Sequence, residues 1–382
     1  MNIRLVRPYV GEEELKKLQD VINRSWLGRG PVCKQFEEKW SNYLGVKMST
    51  SVNSGTAALH LAVLAFKFPK KSKVIVPAMT FCSTANAAIY NVLEPVFVDV
   101  NENTLSLDID DMKKKYTKDC VAVIPVHFGG HPAEMEKIVP WAHSKGMKVI
   151  SDCAHVSGGI YKGKKLGTWA DISCFSFQEK KILSTGDGGM ISSNFIELIE
   201  YLQAIKELGM TSDTYTRYHL ETQGTSKGNP LHWYYEIHEL GYKYNMSDLV
   251  ASVGLAQLEK IDYINKNRID TMAIYLDGIK NCRVAKPAFP YDLSLPYYDF
   301  MLKLKNKQMR DKFILFMQGL GISTGVHTMP VPLLPFYKKF SSNIPTAMKI
   351  WERYVVLPFY VDMSNKEQSY VIEAINMFDR KY

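Results

Sequence analysis

Val149 to His155 reads V-I-S-D-C-A-H, and Cys174 to Gly189 reads C-F-S-F-Q-E-K-K-I-L-S-T-G-D-G-G. Each stretch opens as a short β-branched or aromatic run of strand character, and each delivers a charged side chain just beyond it. The first gives Asp152; the second gives Lys181, after Ile172 to Phe177 and before a Gly-rich turn. Open α/β sheets bind their ligands at the carboxyl ends of the strands, so a carboxylate and an amine arriving there together mark a site.

The same alternation extends outward. Strands are expected at Val74 to Val76, Val96 to Val100, Val121 to Val126, Lys148 to Ser151, Ile172 to Phe177 and Met190 to Ser193, apolar enough to be covered on both faces. Helical patterns fall between them, near residues 11 to 24, 33 to 44, 55 to 66, 80 to 91, 132 to 145 and 195 to 208, several opened by Ser, Thr, Gly or Pro. This is the pattern of an α/β layered domain with a mostly parallel sheet. A polar excursion over 212 to 233 reads as a long loop. Helical pattern resumes at Ser247 to Ile261 and runs to about Gly278, so we expect a large domain over 1 to 250, then a bridging helix and a small α+β domain over 251 to 382. There, Met309, Phe313, Phe316, Met317 and Leu320 share one helix face, which reads as core. The flanking segments Asp299 to Leu304 and Gly321 to His327 look like strands.

A lysine and an aspartate on one sheet edge suit pyridoxal phosphate (PLP). Its aldehyde forms a Schiff base with a lysine, and an aspartate keeps its ring nitrogen protonated. Asn53-Ser54-Gly55-Thr56, between a possible strand and an Ala/Leu-rich helix, would offer helix-terminal amides to a phosphate, although the same residues would serve as an ordinary cap. Ser176 could add a hydroxyl to that phosphate, and Phe81 could stack on the pyridine ring. Taken singly, Asp152 could equally cap a turn, Lys181 could be a solvated lysine, and Phe81 could be core.

Several separated motifs in one order carry a resemblance. Gly28 to Phe36 (G-R-G-P-V-C-K-Q-F), Asn53 to Leu59 (N-S-G-T-A-A-L), Val74 to Ala85 (V-I-V-P-A-M-T-F-C-S-T-A), Pro95 to Val100, Pro125 to Ala133 (P-V-H-F-G-G-H-P-A), Asp152 to Gly189 and Gly241 to Glu259 resemble the DegT/DnrJ/EryC1/StrS aminotransferases. The resemblance implies the aspartate-aminotransferase-like fold of PLP enzymes (fold type I), with a mostly parallel seven-stranded sheet and a smaller C-terminal domain. It implies amino transfer, with L-glutamate as donor, to a keto sugar that is most often nucleotide-linked. It implies Lys181 as Schiff-base lysine, Asp152 on the pyridine nitrogen, and Gly55, Thr56 and Ser176 on the phosphate. Phe81 is implied on the ring and His155 near the phenolic oxygen.

A homodimer with active sites at its interface is also implied, the segment Gly241 to Met246 reaching the neighbouring phosphate. Here the chain departs from the family: Gly-Tyr-Lys-Tyr-Asn stands where Gly-Tyr-Asn-Tyr-Arg is usual, leaving Lys243 to meet that phosphate as a point charge. A second departure precedes the lysine, S-F-Q-E-K-K for S-F-H-P-x-K. Gln178 at that place also occurs in relatives acting on aminocyclitols or on an aromatic precursor. Relatives with histidine in place of the lysine dehydrate keto sugars; the lysine here favours amino transfer, with a PLP-dependent sugar dehydratase or an aminocyclitol/keto-cyclitol aminotransferase of the same family as the alternative.

Composition narrows the other classes. Six cysteines without a CxxC pair suggest neither a disulfide framework nor a zinc ribbon, and reduced thiols fit a cytoplasmic enzyme. The amino terminus has no signal-peptide pattern, and the longest apolar run, Ala57 to Phe66, is too short to span a membrane. The net charge of +8 is spread over short lysine runs, read as solvated surface with no nucleic-acid or membrane partner. The nine histidines show no metal-binding spacing, so no metal is expected. His327 could line a substrate pocket or make a structural hydrogen bond. Arg29 reads as an exposed turn residue somewhat more readily than as an anion contact.

Overall fold

The computed structural model describes residues 1–210, 235–340 and 342–382, and the polar excursion over 212 to 233 falls outside them. Nine strands lie in the first part of the chain: β1 (Met48–Val52), β2 (Lys73–Pro77), β3 (Glu94–Val98), β4 (Cys120–Val123), β5 (Lys148–Asp152), the short hairpin β6 (Ile160–Tyr161) and β7 (Lys164–Lys165), β8 (Ile172–Ser176) and β9 (Gly189–Ser193). Seven of them form one sheet in the order β1-β9-β8-β5-β4-β2-β3. Neighbours β8, β5, β4, β2 and β3 are parallel, while β9 runs against both β8 and β1. Two antiparallel steps leave β1 pointing the same way as β8. The carboxyl ends of β1, β2, β5 and β8 therefore share one edge, and Asn53, Thr80, Asp152 and Ser176 come out beside one another.

The strands are apolar because both faces are covered. Val74, Val76, Ile150, Ile172 and Ile191 pack with the helix Gly55–Ala65, whose alanines and leucines are buried nearly all round. On the other face, Ile75, Val98, Val123 and Val149 pack with Met135, Ile138 and Ala142 of the helix Met135–Ser144. All six strands read from the sequence are present, with ends moved by a residue or more. β4 stops at Val123, short of Val126, because Pro125 follows and cannot donate to a neighbouring strand.

Beyond the helices Asp248–Glu259 and Ile261–Gly278, three short strands β10 (Lys286–Pro287), β11 (Met301–Lys303) and β12 (Tyr354–Val356) make an antiparallel sheet. The helix Lys307–Gly319 lays Phe313 and Met317 into the adjoining core, each contributing about 1.5–3 kcal/mol by burial, with Met309, Phe316 and Leu320 packed at its margin. Two expectations need correction. Asp299 to Leu304 contributes a strand only over Met301–Lys303, since the backbone amides of Tyr298 and Asp299 turn aside to the carbonyl of Gly129. Gly321 to His327 is not a strand: it makes isolated bridges, Ile322 to Ile3 and Gly325 to Val356, because its neighbours change from one residue to the next.

A buried ionic cluster backs β1. Lys206, fully buried, donates to Glu37 Oε1 at 2.9 Å, Thr50 Oγ1 at 2.6 Å and the Ser51 carbonyl at 2.7 Å. Arg29 is buried in the same cluster, 3.9 Å from Glu37 and 3.7 Å from Glu207, and is not the exposed turn residue that its Gly-Arg-Gly setting suggested.

Candidate active site

The shared strand edge opens into a cleft of about 590 Å³ whose lining includes Ser54, Gly55, Thr56, Phe81, Asp152, His155, Ser176 and Lys181. All of these but Ser54 are proposed individually from the sequence for cofactor or chemistry, and the seven meet in one place. Asp152 is the last residue of β5, and its amide donates to the Pro125 carbonyl, which fixes where the side chain leaves the sheet. The carboxylate is buried. Oδ2 accepts from Thr84 Oγ1 at 2.8 Å and Oδ1 from the Ala154 amide at 3.1 Å. Burial pushes its pKa up against these two donors and the Lys181 charge, so the site favours a cationic partner for this oxygen pair.

Lys181 stands in the loop that turns β8 back into β9. The Gln178 carbonyl accepts its amide at 2.8 Å, and the loop is closed by Phe177 N–H to Gly188 O and Thr185 N–H to Phe177 O, each 2.8 Å. Its ammonium lies 4.8 Å from the centre of the Tyr298 ring. Loss of hydration brings the amine down to about 8, while Asp152 and Asp299 oppose the fall and the Lys180 charge adds to it. Lys180 is exposed.

The phosphate cradle is built as the sequence suggests. Ser54 caps the helix Gly55–Ala65 by accepting from the Ala57 amide at 3.1 Å, and the amides of Gly55 and Thr56 have no acceptor within the helix itself. Gly55 allows the approach of Ser176: a Cβ at 55 would sit 2.7 Å from Ser176 Cβ. Hydroxyl, amides and helix terminus thus converge on one corner, as anion binding requires.

His155 is buried, with its ring parallel to Tyr298 at 4.5 Å and 5°, and Nδ1 accepts from the Gly129 amide at 3.2 Å. Burial, then the Lys181 charge, holds it well below the usual histidine range, so it is neutral and its other nitrogen is the N–H donor. Phe81 precedes the helix Cys82–Tyr90 and is 65% exposed on the cleft wall, an apolar ring left for a ligand to cover. Lys243 is not in this cleft: it is exposed, 3.6 Å from Glu207 Oε1.

Sequence reasoning missed three residues here. Thr84, which donates to Asp152, lies inside the quoted Val74 to Ala85 segment, but 68 positions from the aspartate it serves, so nothing local to it signals the contact. Tyr298 and Asp299 come from the far end of the chain, and only the tertiary fold brings them to Lys181. Among the described residues there is no group of three or more side chains suited to a metal and no helix long and apolar enough to cross a membrane.

The residues fit PLP: a strand-end carboxylate in want of a cation, an amine of lowered basicity, and a helix terminus with adjoining hydroxyls. Fold and site together define a PLP-dependent transferase of fold type I. The chain belongs to the DegT/DnrJ/EryC1/StrS aminotransferase family, whose model matches residues 8–376. It is 34% identical over 377 residues to the spore coat polysaccharide biosynthesis protein SpsC of Bacillus subtilis, covering 96% of this chain and 95% of that one. It is 31% identical over 377 residues to GDP-perosamine synthase of Escherichia coli O157:H7, covering 98% of each. The structure of Spr1654 from Streptococcus pneumoniae in its PMP form, assigned as a sugar aminotransferase, superposes with a TM-score of 0.91 at 26% identity over 100% of both chains. The protein is accordingly a PLP-dependent aminotransferase.

Proposed function

We propose that this enzyme moves an amino group from an amino acid, L-glutamate by family resemblance, to a keto sugar, most often one linked to a nucleotide. The amino-transfer part rests on one observation above the others: Lys181 and the buried Asp152 face the same cleft, the amine brought down to about 8. The sugar part is supported by full-length likeness to GDP-perosamine synthase. Reduced thiols at all six cysteines are consistent with the cytoplasm.

Bound PLP supplies an aldehyde that carries the amino group and a protonated ring that takes up electrons. The chain's own residues do the rest. Asp152, held by Thr84 and Ala154, keeps the ring nitrogen's proton in place. Gly55, Thr56 and Ser176 hold the phosphate, the neutral His155 donates to the phenolic oxygen, and Phe81 covers the ring. Lys181, its amine brought down to about 8, would act as the base that removes the proton from the donor's α carbon. The keto acid leaves before the sugar enters, which gives ping-pong kinetics. We further propose a homodimer in which Lys243 crosses to the neighbouring phosphate, consistent with its exposure and its distance from its own cleft.

Incubation of the glutamate-treated enzyme with a panel of nucleotide-linked keto sugars tests the reading. An amino sugar is the expected product. A deoxygenated, nitrogen-free product would replace amino transfer with dehydration, and no reaction with any member would overturn the sugar assignment.

A further inference from the structure

His327 stands on the wall of the cleft with its ring caged. Phe128, His155 and Tyr298 meet it nearly edge-on, with centroids at 4.7, 5.0 and 5.9 Å. Its Nδ1 lies 2.7 Å from Oδ2 of the buried Asp299. The approach is short but bent, without regular hydrogen-bond alignment. At that separation two lone pairs would repel, so we assign the proton to Nδ1. With that tautomer the lone pair of the imidazole sits on Nε2, which has no protein partner among the described residues.

Asp299 is itself held. Its amide and that of Tyr298 both donate to the Gly129 carbonyl, at 3.1 and 3.0 Å, and the Gly129 amide donates to His155. Gly129 has φ of +62°, and a Cβ there would lie 2.5 Å from Met301 Cε. One glycine thus ties His155, Tyr298 and Asp299 into a single unit, with Lys181 over the Tyr298 ring.

A hydroxyl is the group that such an Nε2 recognises: it donates a hydrogen bond, whereas a methylene in its place leaves the nitrogen unpaired. His327 and the Lys181 amine both border the Tyr298 ring, the amine 4.8 Å from its centre and the imidazole 5.9 Å. Resting on the keto-sugar reading above, we propose that Asp299 is a positioning residue that fixes His327 as a hydrogen-bond acceptor for the substrate hydroxyl on the carbon beside the carbonyl, making the pair a specificity device. The enzyme then selects hydroxylated ketones over their deoxygenated counterparts.

The test compares the keto sugar that the wild type aminates fastest with the same compound lacking that hydroxyl. The variants are Asp299→Asn, whose amide can donate to Nδ1 and so release the tautomer, and His327→Ala. The PLP form of each is also titrated calorimetrically with both ketones, without amino donor, to give binding independent of turnover. In the wild type, kcat/KM is expected to favour the hydroxylated ketone by about a hundredfold, the upper end of what one buried acceptor left unpaired costs. Both variants should bring that preference to within about threefold by weakening the hydroxylated ketone alone, in rate and in affinity. Equal losses on both ketones would show support of the fold only and overturn the proposal, as would no loss. Failure of the keto-sugar reading shows instead in the wild type, which would aminate no panel member; that result overturns both.

Discussion

The Lys181 ammonium and the Tyr298 ring lie 4.8 Å apart, amine over aromatic face, although 117 residues of chain separate them. The ring shields the amine from water, and loss of hydration is the main reason that it titrates near 8 rather than as a surface lysine. The group's folded value lies below its ordinary one, so the neutral, nucleophilic form accumulates as pH rises through about 8. Capture of PLP by the apoenzyme, followed by absorbance, should accelerate about tenfold per pH unit below that point and level off above it. A rate still climbing tenfold per unit past pH 9 would show an ordinary lysine.

Adjacent lysines give an internal control. Lys181→Ala should abolish covalent attachment of PLP, read as loss of the protein-bound mass after borohydride reduction. Lys180→Ala, at an exposed neighbour, should retain it. Attachment that survives the first change and is lost in the second would move the reactive amine by one residue.

Asp152→Asn keeps the shape and one acceptor oxygen, for Thr84 or for the Ala154 amide, while removing the negative charge. The protonated ring then lacks its counter-charge, and turnover should fall at least a hundredfold, the scale of losing a preorganised electrostatic contact. Thr84→Val, which removes one donor to the carboxylate, should act in the same direction and more weakly. Activity within threefold of wild type in Asp152→Asn would remove Asp152 from the mechanism.

How far the sequence discloses these parts depends on whether they are local. β5 and β8 are short runs with β-branched or aromatic residues, and the Asp152 and Lys181 ends follow from them. The cradle at Gly55 and Thr56 is a cap signal beside a helix pattern. Tyr298 and Asp299 carry no such signal, because their role exists only where the Gly129 carbonyl turns the chain aside from β11. Arg29 misled for the same reason: a Gly-flanked arginine looks exposed until Glu37 and Glu207 arrive from two other segments.

A shared site makes a mixing experiment decisive for Lys243. Lys181→Ala and Lys243→Glu subunits should each be nearly inactive alone. After unfolding and co-refolding in equal amounts, half of the dimers are mixed, each with one site that has both residues intact, so activity should return to about a quarter of wild type. No recovery would place Lys243 outside the neighbouring site.

The ionic cluster behind β1 predicts a coupling between stability and cofactor binding. Lys206 is buried with Glu37, and its two further acceptors, Thr50 and the Ser51 carbonyl, belong to the strand that runs into the phosphate cradle. Lys206→Ala leaves the Glu37 carboxylate buried with Arg29 3.9 Å away and the Ser51 and Thr50 donors, and should cost about 3–5 kcal/mol in denaturant unfolding. Glu37→Gln leaves the opposite charge and should cost a similar amount. The double variant should cost clearly less than the two losses added together, because neither charge is then left alone. Since β1 positions Ser54 and Gly55, Lys206→Ala should also weaken PLP binding, while leaving the Lys181 attachment chemistry intact at saturating cofactor. Strict additivity of the two stability losses would show that the charges do not act as a pair.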